Sequence, residues 1–139
     1  MSKVIQNRFD AASIQFEIKL GDVDANLSYV LSEIKKLSKE DVKLILLPEM
    51  WSTGYAWRKL GKLAERTPEI LQELKRAAGK GTVLIGSMPE KDEEELYNTA
   101  YMIDSGKVTG RYRKIHLFSP MKEDFFLKAG NEPLLCNTS

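Results

Sequence analysis

Helical and strand periodicities alternate along this chain. Phe9-Asp10-Ala11-Ala12-Ser13-Ile14-Gln15-Phe16 reads as a first strand, with its β-formers gathered at the end. After the turn Gly21-Asp22-Val23-Asp24, the residues Leu27, Val30, Leu31, Ile34 and Leu37 recur at helical spacing. They make one apolar stripe with Glu33, Lys35 and Lys36 left for water, and Asp24 is the expected cap. Leu44-Ile45-Leu46-Leu47 is an unbroken apolar run, the mark of a short strand buried on both faces. It completes a β-α-β unit, which crosses over right-handed. A mixed aromatic and polar loop follows, with a short helix over 57–64. Thr67-Pro68-Glu69 then opens a longer helix, with Thr67 as cap, Pro68 at its first position, and Ile70, Leu71, Leu74, Ala77 and Ala78 on the buried face. Gly79 and Gly81 close it.

The run 82–88 predicts a second fully buried strand, and Lys91-Asp92-Glu93-Glu94-Glu95 a solvated loop. Strands over 96–103 and 108–112 flank Asp104-Ser105-Gly106-Lys107, the pattern of a hairpin. Residues 121–126 read as a loop or short helix, and Leu134-Leu135-Cys136 as the start of another strand. Alternating strands and helices that give way to a hairpin predict an α/β fold with a mixed sheet. No repeat, low-complexity tract or linker divides residues 1–139, so one domain is expected.

Composition narrows the function classes. With 21 basic and 20 acidic residues the net charge is +1, too balanced to favour nucleic acid or an anionic membrane. No apolar run approaches the roughly 20 residues that span a bilayer. Met1-Ser2-Lys3-Val4-Ile5-Gln6 is not followed by the apolar stretch of a secretory signal. One cysteine and one histidine leave no pair for an intramolecular disulfide and speak against a zinc centre. Neither G-x-G-x-x-G nor G-x-x-x-x-G-K-[ST] follows a strand, which removes the main support for a nucleotide fold. The expectation is a cytoplasmic α/β protein without metal or organic cofactor.

Two stretches carry candidate chemistry. Pro48 lacks an N–H and ends the second strand, so Glu49 sits just past its carboxyl end, where open α/β sheets build their sites. Among Trp51, Tyr55 and Trp57 its carboxylate is expected to be partly desolvated, with a raised pKa suited to accepting protons near neutrality. The second stretch is Arg111-Tyr112-Arg113-Lys114-Ile115-His116-Leu117-Phe118. It reads either as a basic surface patch or as a strand end that turns one lysine inward beside Glu49, where it can steady an oxyanion.

Taken in order, several stretches give the chain a recognisable pattern: Ile14-Gln15-Phe16, Leu47-Pro48-Glu49-Met50 with Thr53-Gly54-Tyr55, Leu96-Tyr97-Asn98-Thr99-Ala100, Tyr112-Arg113-Lys114-Ile115-His116-Leu117-Phe118, and Glu123 with Gly130. The chain resembles the amino-terminal portion of the carbon–nitrogen hydrolase (nitrilase) superfamily. Its Lys128-Ala129-Gly130-Asn131-Glu132-Pro133 stretch is most similar to the ω-amidase-like branch. The resemblance implies part of an α-β-β-α sandwich and a Glu–Lys–Cys hydrolase of small amides, such as ω-amides of dicarboxylic acids, that forms homo-oligomers when complete. It matches Glu49 to the general base, Lys114 to the lysine facing the tetrahedral intermediate, and Glu123 to a second glutamate that positions Lys114 and substrate. Tyr55 is the candidate substrate contact. Tyr97 and Asn98 are taken as structural, and His116 as packing or hydrogen bonding next to the lysine.

One departure stands out. The family's nucleophilic cysteine belongs to a later strand, ending in a pattern such as Cys-Tyr-Asp or Cys-Tyr-Glu, and this chain ends at Ser139 without it. Cys136 is flanked by Leu134-Leu135 and Asn137-Thr138-Ser139, lacks that pattern, and is expected to be a small packing residue. The domain is thus expected to be incomplete at its carboxyl end and inactive alone. The alternative is a truncated, non-catalytic paralogue that binds or oligomerises through an open sheet.

Overall fold

A computed structural model of the chain describes residues 8–139; the stretch Met1-Ser2-Lys3-Val4-Ile5-Gln6, read above for a secretory signal, lies outside them. The described elements run β1 (Ala11–Ser13), α1 (Val23–Leu37), β2 (Leu44–Leu46), α2 (Leu60–Ala64) after a 3₁₀ turn (Trp57–Lys59), α3 (Thr67–Ala77), β3 (Val83–Asp92), β4 (Glu95–Asp104), β5 (Lys107–Arg113), a second 3₁₀ turn (Ser119–Met121) and α4 (Glu123–Phe126). The strands form one five-stranded sheet in sequential order. β1, β2 and β3 are parallel, with Ala12 beside Ile45 and Ile45 beside Leu84. β3, β4 and β5 are antiparallel. This is the mixed α/β sheet the sequence predicted.

Period-2 alternation divides the sheet into two unlike faces. On one, Ile45, Leu84, Met88, Tyr101 and Ile103 pack with Val30, Ile34, Ile70 and Leu74 from α1 and α3 and with Trp51. Fully burying such side chains stabilises by about 1.5–3 kcal/mol each, so this layer holds the fold together. The opposite face carries Leu44, Leu46, Ile85, Ala100 and Met102, and among the described residues no helix covers it. Residues 133–139 cross part of it: Leu134 and Cys136 lie against Gly110, and the Ser139 backbone N–H and hydroxyl donate to the Asp104 carboxylate. A groove of about 550 Å³ remains beside Leu44, Val83 and Ile85. β2 is therefore not buried on both faces, Leu46 being 38% exposed, and β3 is so only in part, with Val83 buried and Ile85 half-buried.

Several boundaries differ from the sequence reading. β1 is three residues long, because its pairing with β2 ends where the Ile14 N–H reaches the Leu46 carbonyl. Asp22, not Asp24, caps α1 by accepting from the Ala25 N–H at 3.0 Å, which leaves Asp24 free to pair with Arg66 at 2.7 Å. Thr67 is the first residue of α3 instead of its cap, and its hydroxyl donates to the Pro89 carbonyl. The charged stretch 91–95 is mostly strand: the β3–β4 ladder runs to Asp92 opposite Glu95 and leaves Glu93-Glu94 as the turn. Leu134-Leu135-Cys136 is irregular, since no described strand lies in register beside it. The Ser105-Gly106 turn between β4 and β5 appears as expected, both residues having positive φ.

Candidate active site

Glu49 is placed by a tight crossing at the end of β2. The Leu47 N–H donates to the Ile85 carbonyl, the Met50 N–H to the Ser87 hydroxyl, and the Trp51 N–H to the Ser87 carbonyl. Met50 takes a left-handed conformation (φ 51°), and its carbonyl accepts from the Thr53 and Gly54 N–H groups. Glu49 is thus pinned to β3 on both sides, on a turn that Pro48 prevents from continuing as strand. The turn's packing needs glycine at 86. A Cβ there would stand 2.7 Å from Leu47 Cβ and 3.1 Å from Trp51 Cδ1.

Lys114 follows directly on β5. Its N–H donates to the Asn98 carbonyl, and its own carbonyl accepts from the Gly130 N–H. Its Nζ lies 2.7 Å from Glu49 Oε1 and 2.7 Å from Glu123 Oε2. Glu123, the first residue of α4, is 1% exposed. Its Oε2 also accepts from the Phe118 N–H at 2.6 Å, which ties down the loop between β5 and α4. Asn98 completes the cluster: its Nδ2 donates to Glu49 Oε1 at 2.7 Å and to Glu123 Oε1 at 3.2 Å. One ammonium and one carboxamide thus bridge two carboxylates. An open cleft of about 360 Å³ adjoins them, lined by Leu47, Ser87, Ala100 and Tyr112 as well as Glu49, Asn98 and Lys114.

The electrostatics correct one expectation. Burial does push the Glu49 carboxyl up, but the Lys114 ammonium, the Asn98 amide and the Tyr55 hydroxyl outweigh it and hold it below the usual carboxylate range. Burial likewise pushes Lys114 down, and Glu123 and Glu49 overcome that and raise it. Tyr55 is raised by burial and by the Glu49 charge beside it. Glu49 is therefore ionised and Lys114 protonated at neutral pH. The cluster is an ionised carboxylate beside a fixed positive charge.

Of the residues singled out from sequence, Glu49, Lys114 and Glu123 converge, and Tyr55 joins them at Glu49. Asn98, taken as structural, is the bridge between the carboxylates. Strand alternation sets it on the face away from Tyr97 and Thr99. Trp51 belongs to the core and not to a pocket, and Trp57 stacks on Phe126 at a ring separation of 4.9 Å. His116 is exposed, away from the hydrogen bonds of Lys114. The cations of the second stretch face carboxylates: Arg111 meets Glu90, and Arg113 meets Glu90 and Asp92. Cys136 Sγ lies 3.6 Å from the Thr109 carbonyl, beside Gly110.

The fold agrees with the comparisons. The carbon–nitrogen hydrolase family model matches residues 10–136, and the chain belongs to that family. It is 36% identical over 129 residues to the 2-oxoglutaramate amidase of Bacillus subtilis, covering 90% of this chain and 49% of that protein. It is 33% identical over 114 residues to the human omega-amidase NIT2, covering 79% and 41%. Among solved structures, Saccharomyces cerevisiae Nit3, a member of branch 10 of the nitrilase superfamily, superimposes with a TM-score of 0.80 at 28% identity, over 92% of this chain and 51% of that one. The chain spans about half the length of the curated relatives it matches.

Proposed function

We propose that Glu49, Lys114 and Glu123 are the proton-handling part of a cysteine-dependent hydrolase of small amides, with ω-amides of dicarboxylic acids the favoured class. The observation that carries this reading is the convergence of two carboxylates on one ammonium beside an open cleft. In the proposed reaction Glu49 takes the S–H proton as sulfur attacks the amide carbonyl carbon. The oxyanion forms beside Lys114 Nζ. The C–N bond breaks as Glu49 returns the proton to nitrogen, and ammonia departs. Water, deprotonated by Glu49, then attacks the thioester, the C–S bond breaks, and the thiol and a carboxylic acid are restored. Glu123 and Asn98 hold Lys114 and Glu49 in place, and Tyr55 contacts the substrate through its position against Glu49. No cofactor is needed for any step.

Cys136 does not serve as the nucleophile in this reading. It sits beside Gly110, four residues from Lys114, about 13 Å along the strand at ~3.3 Å per residue. On this reading the nucleophile is a thiol other than Cys136, and the 139 residues alone release no ammonia. A single cysteine fits a cytoplasmic setting, and among the described residues no helix is long and apolar enough to cross a membrane. Exposed Phe118, Met121 and Phe125 supply an apolar surface for the homo-oligomer of the complete protein.

A second reading, a non-catalytic binding partner, is favoured by the uncovered apolar sheet face with its 550 Å³ groove. Reading the coding frame past the Ser139 codon and assaying its product for ammonia release separates the two. A frame that continues to a cysteine strand and yields an amidase lost in Glu49→Gln supports catalysis. A stop at that codon, with a discrete oligomer on size exclusion and no ammonia release, supports the binding role.

A further inference from the structure

Behind the amide-hydrolysing cluster, on the helix-covered side of the same strands, lies a second polar group that the reaction does not use. Glu90 on β3 is 6% exposed. Its Oε1 accepts from Arg113 Nη2 at 2.6 Å, and its Oε2 from Arg113 Nε at 3.2 Å and from the Thr99 hydroxyl at 2.6 Å. Arg113 also reaches Asp92 at 2.7 Å and stacks its guanidinium over Tyr97, 3.8 Å from the ring centroid. The paired geometry is the fork that arginine makes with a carboxylate.

The residues involved are sequence neighbours of the site. Tyr97 and Thr99 flank Asn98, and Arg113 precedes Lys114. Because side chains alternate across a strand, the clamp and the site occupy opposite faces of the same two strand ends. The last β4–β5 register pair is Thr99 with Arg113, and one further hydrogen bond, from the Lys114 N–H to the Asn98 carbonyl, lies just past it. Strand ends past a last rung are where local opening is easiest. The clamp closes on that rung, while Gly130 approaches Arg113 from another side, where a Cβ would run into the Arg113 carbonyl oxygen.

We propose that Glu90 is a positioning residue: by gripping Arg113 and Thr99 it fixes the strand ends that present Lys114 and Asn98 to Glu49. The proposal rests on the reading of Glu49 and Lys114 as the reacting pair for its catalytic meaning only. Arg111 is peripheral to it, being 57% exposed at its side chain.

The test compares Glu90→Gln and Arg113→Lys with the parent chain by carbon-detected NMR titration of the Glu49 carboxyl, with Glu49→Gln assigning the signal. Lys114, Asn98 and Tyr55 face that carboxyl, with Glu123 across Lys114. Hydrogen exchange at the Lys114 amide is read in parallel. Each variant is expected to raise the Glu49 midpoint by about half a unit or more, as Lys114 loses its fixed place. Exchange at the Lys114 amide should quicken roughly tenfold while Leu84 and Ile103 keep their protection. An unchanged midpoint overturns the proposal, as does exchange that quickens equally throughout the sheet, the result of a purely stabilising role. If Glu90→Gln does not fold, Arg113→Lys, which keeps the charge and loses the fork, decides alone. Neither readout uses catalysis. Amide hydrolysis surviving in Glu49→Gln would overturn the proposed function and leave this proposal standing.

Discussion

Lys114→Met removes the ammonium that faces both Glu49 and Glu123 while keeping most of the side chain's length. The two partners are not equivalent. Glu49 is about half exposed and Glu123 almost wholly buried, so water can compensate the first and not the second. Exposed pairs are worth at most about 1 kcal/mol, whereas leaving a buried charge without its partner costs about 3–5 kcal/mol. Glu123 retains the Phe118 N–H and the Asn98 amide, which places the expected loss at the low end, about 3 kcal/mol. For a chain of this length that is a fall in Tm of roughly 6–15 °C. Removing the stranded charge as well should recover part of it. Lys114→Met with Glu123→Gln is expected to be about 1–2 kcal/mol more stable than Lys114→Met alone, a coupling typical of contacting residues. Urea unfolding followed by circular dichroism, treated as two-state, provides all four corners of the cycle. A loss below about 0.5 kcal/mol in Lys114→Met, or a double variant no more stable than the single one, would refute the claim that Lys114 neutralises a buried carboxylate.

Further expectations follow from the same geometry. Because Glu49 is held below its unfolded pKa, its contribution to stability is complete above the ordinary carboxylate range and is lost as pH falls through the lowered folded value. Glu49→Gln should therefore flatten the rise of the urea midpoint with pH between about 3 and 5. Gly130→Ala forces a Cβ against the Arg113 carbonyl and should destabilise by about 1–3 kcal/mol, whereas Gly79→Ala, with nothing within 4 Å of its new Cβ, should stay within about 0.5 kcal/mol by urea unfolding. Cys136→Ala should change ammonia release by the complete protein less than about twofold, since the thiol lies beside Gly110 and away from Glu49.

How much of this was legible in the sequence depends on what each signal measures. The run 44–47 announced a strand correctly, but apolar residues record a preference for burial and not what covers them. Ile45 found the helices, and Leu46 found a face with no helix on it. Asp22 and Asp24 are chemically equal candidates in one turn, and only the backbone path of residues 22–25 selects the first. Leu134-Leu135-Cys136 had strand composition without a strand beside it, and pairing is not a local property. Glu49 was legible because Pro48 fixes where a strand must stop. Lys114 and Glu123 were placed through family resemblance, since nothing local shows that residues so far apart meet. Asn98 was taken as structural, and a bridge between Glu49 and Glu123 is a structural contact; alternation shows that Asn98 and Thr99 face opposite ways without showing which face holds the site. The expected rise in the Glu49 pKa failed for the same reason: burial was foreseen, but the balance depended on donors brought in from β4 and β5.

The central claim is that Glu49 beside Lys114 performs proton transfer in amide hydrolysis. Ammonia release from a dicarboxylic acid ω-amide, measured for the product of the whole reading frame, for its Glu49→Gln variant and for the 139-residue chain, tests it most directly. The account predicts turnover by the first, a loss of about 10²–10⁴-fold in the second, and none from the third. Turnover that survives Glu49→Gln, or that the 139 residues sustain by themselves, would contradict it.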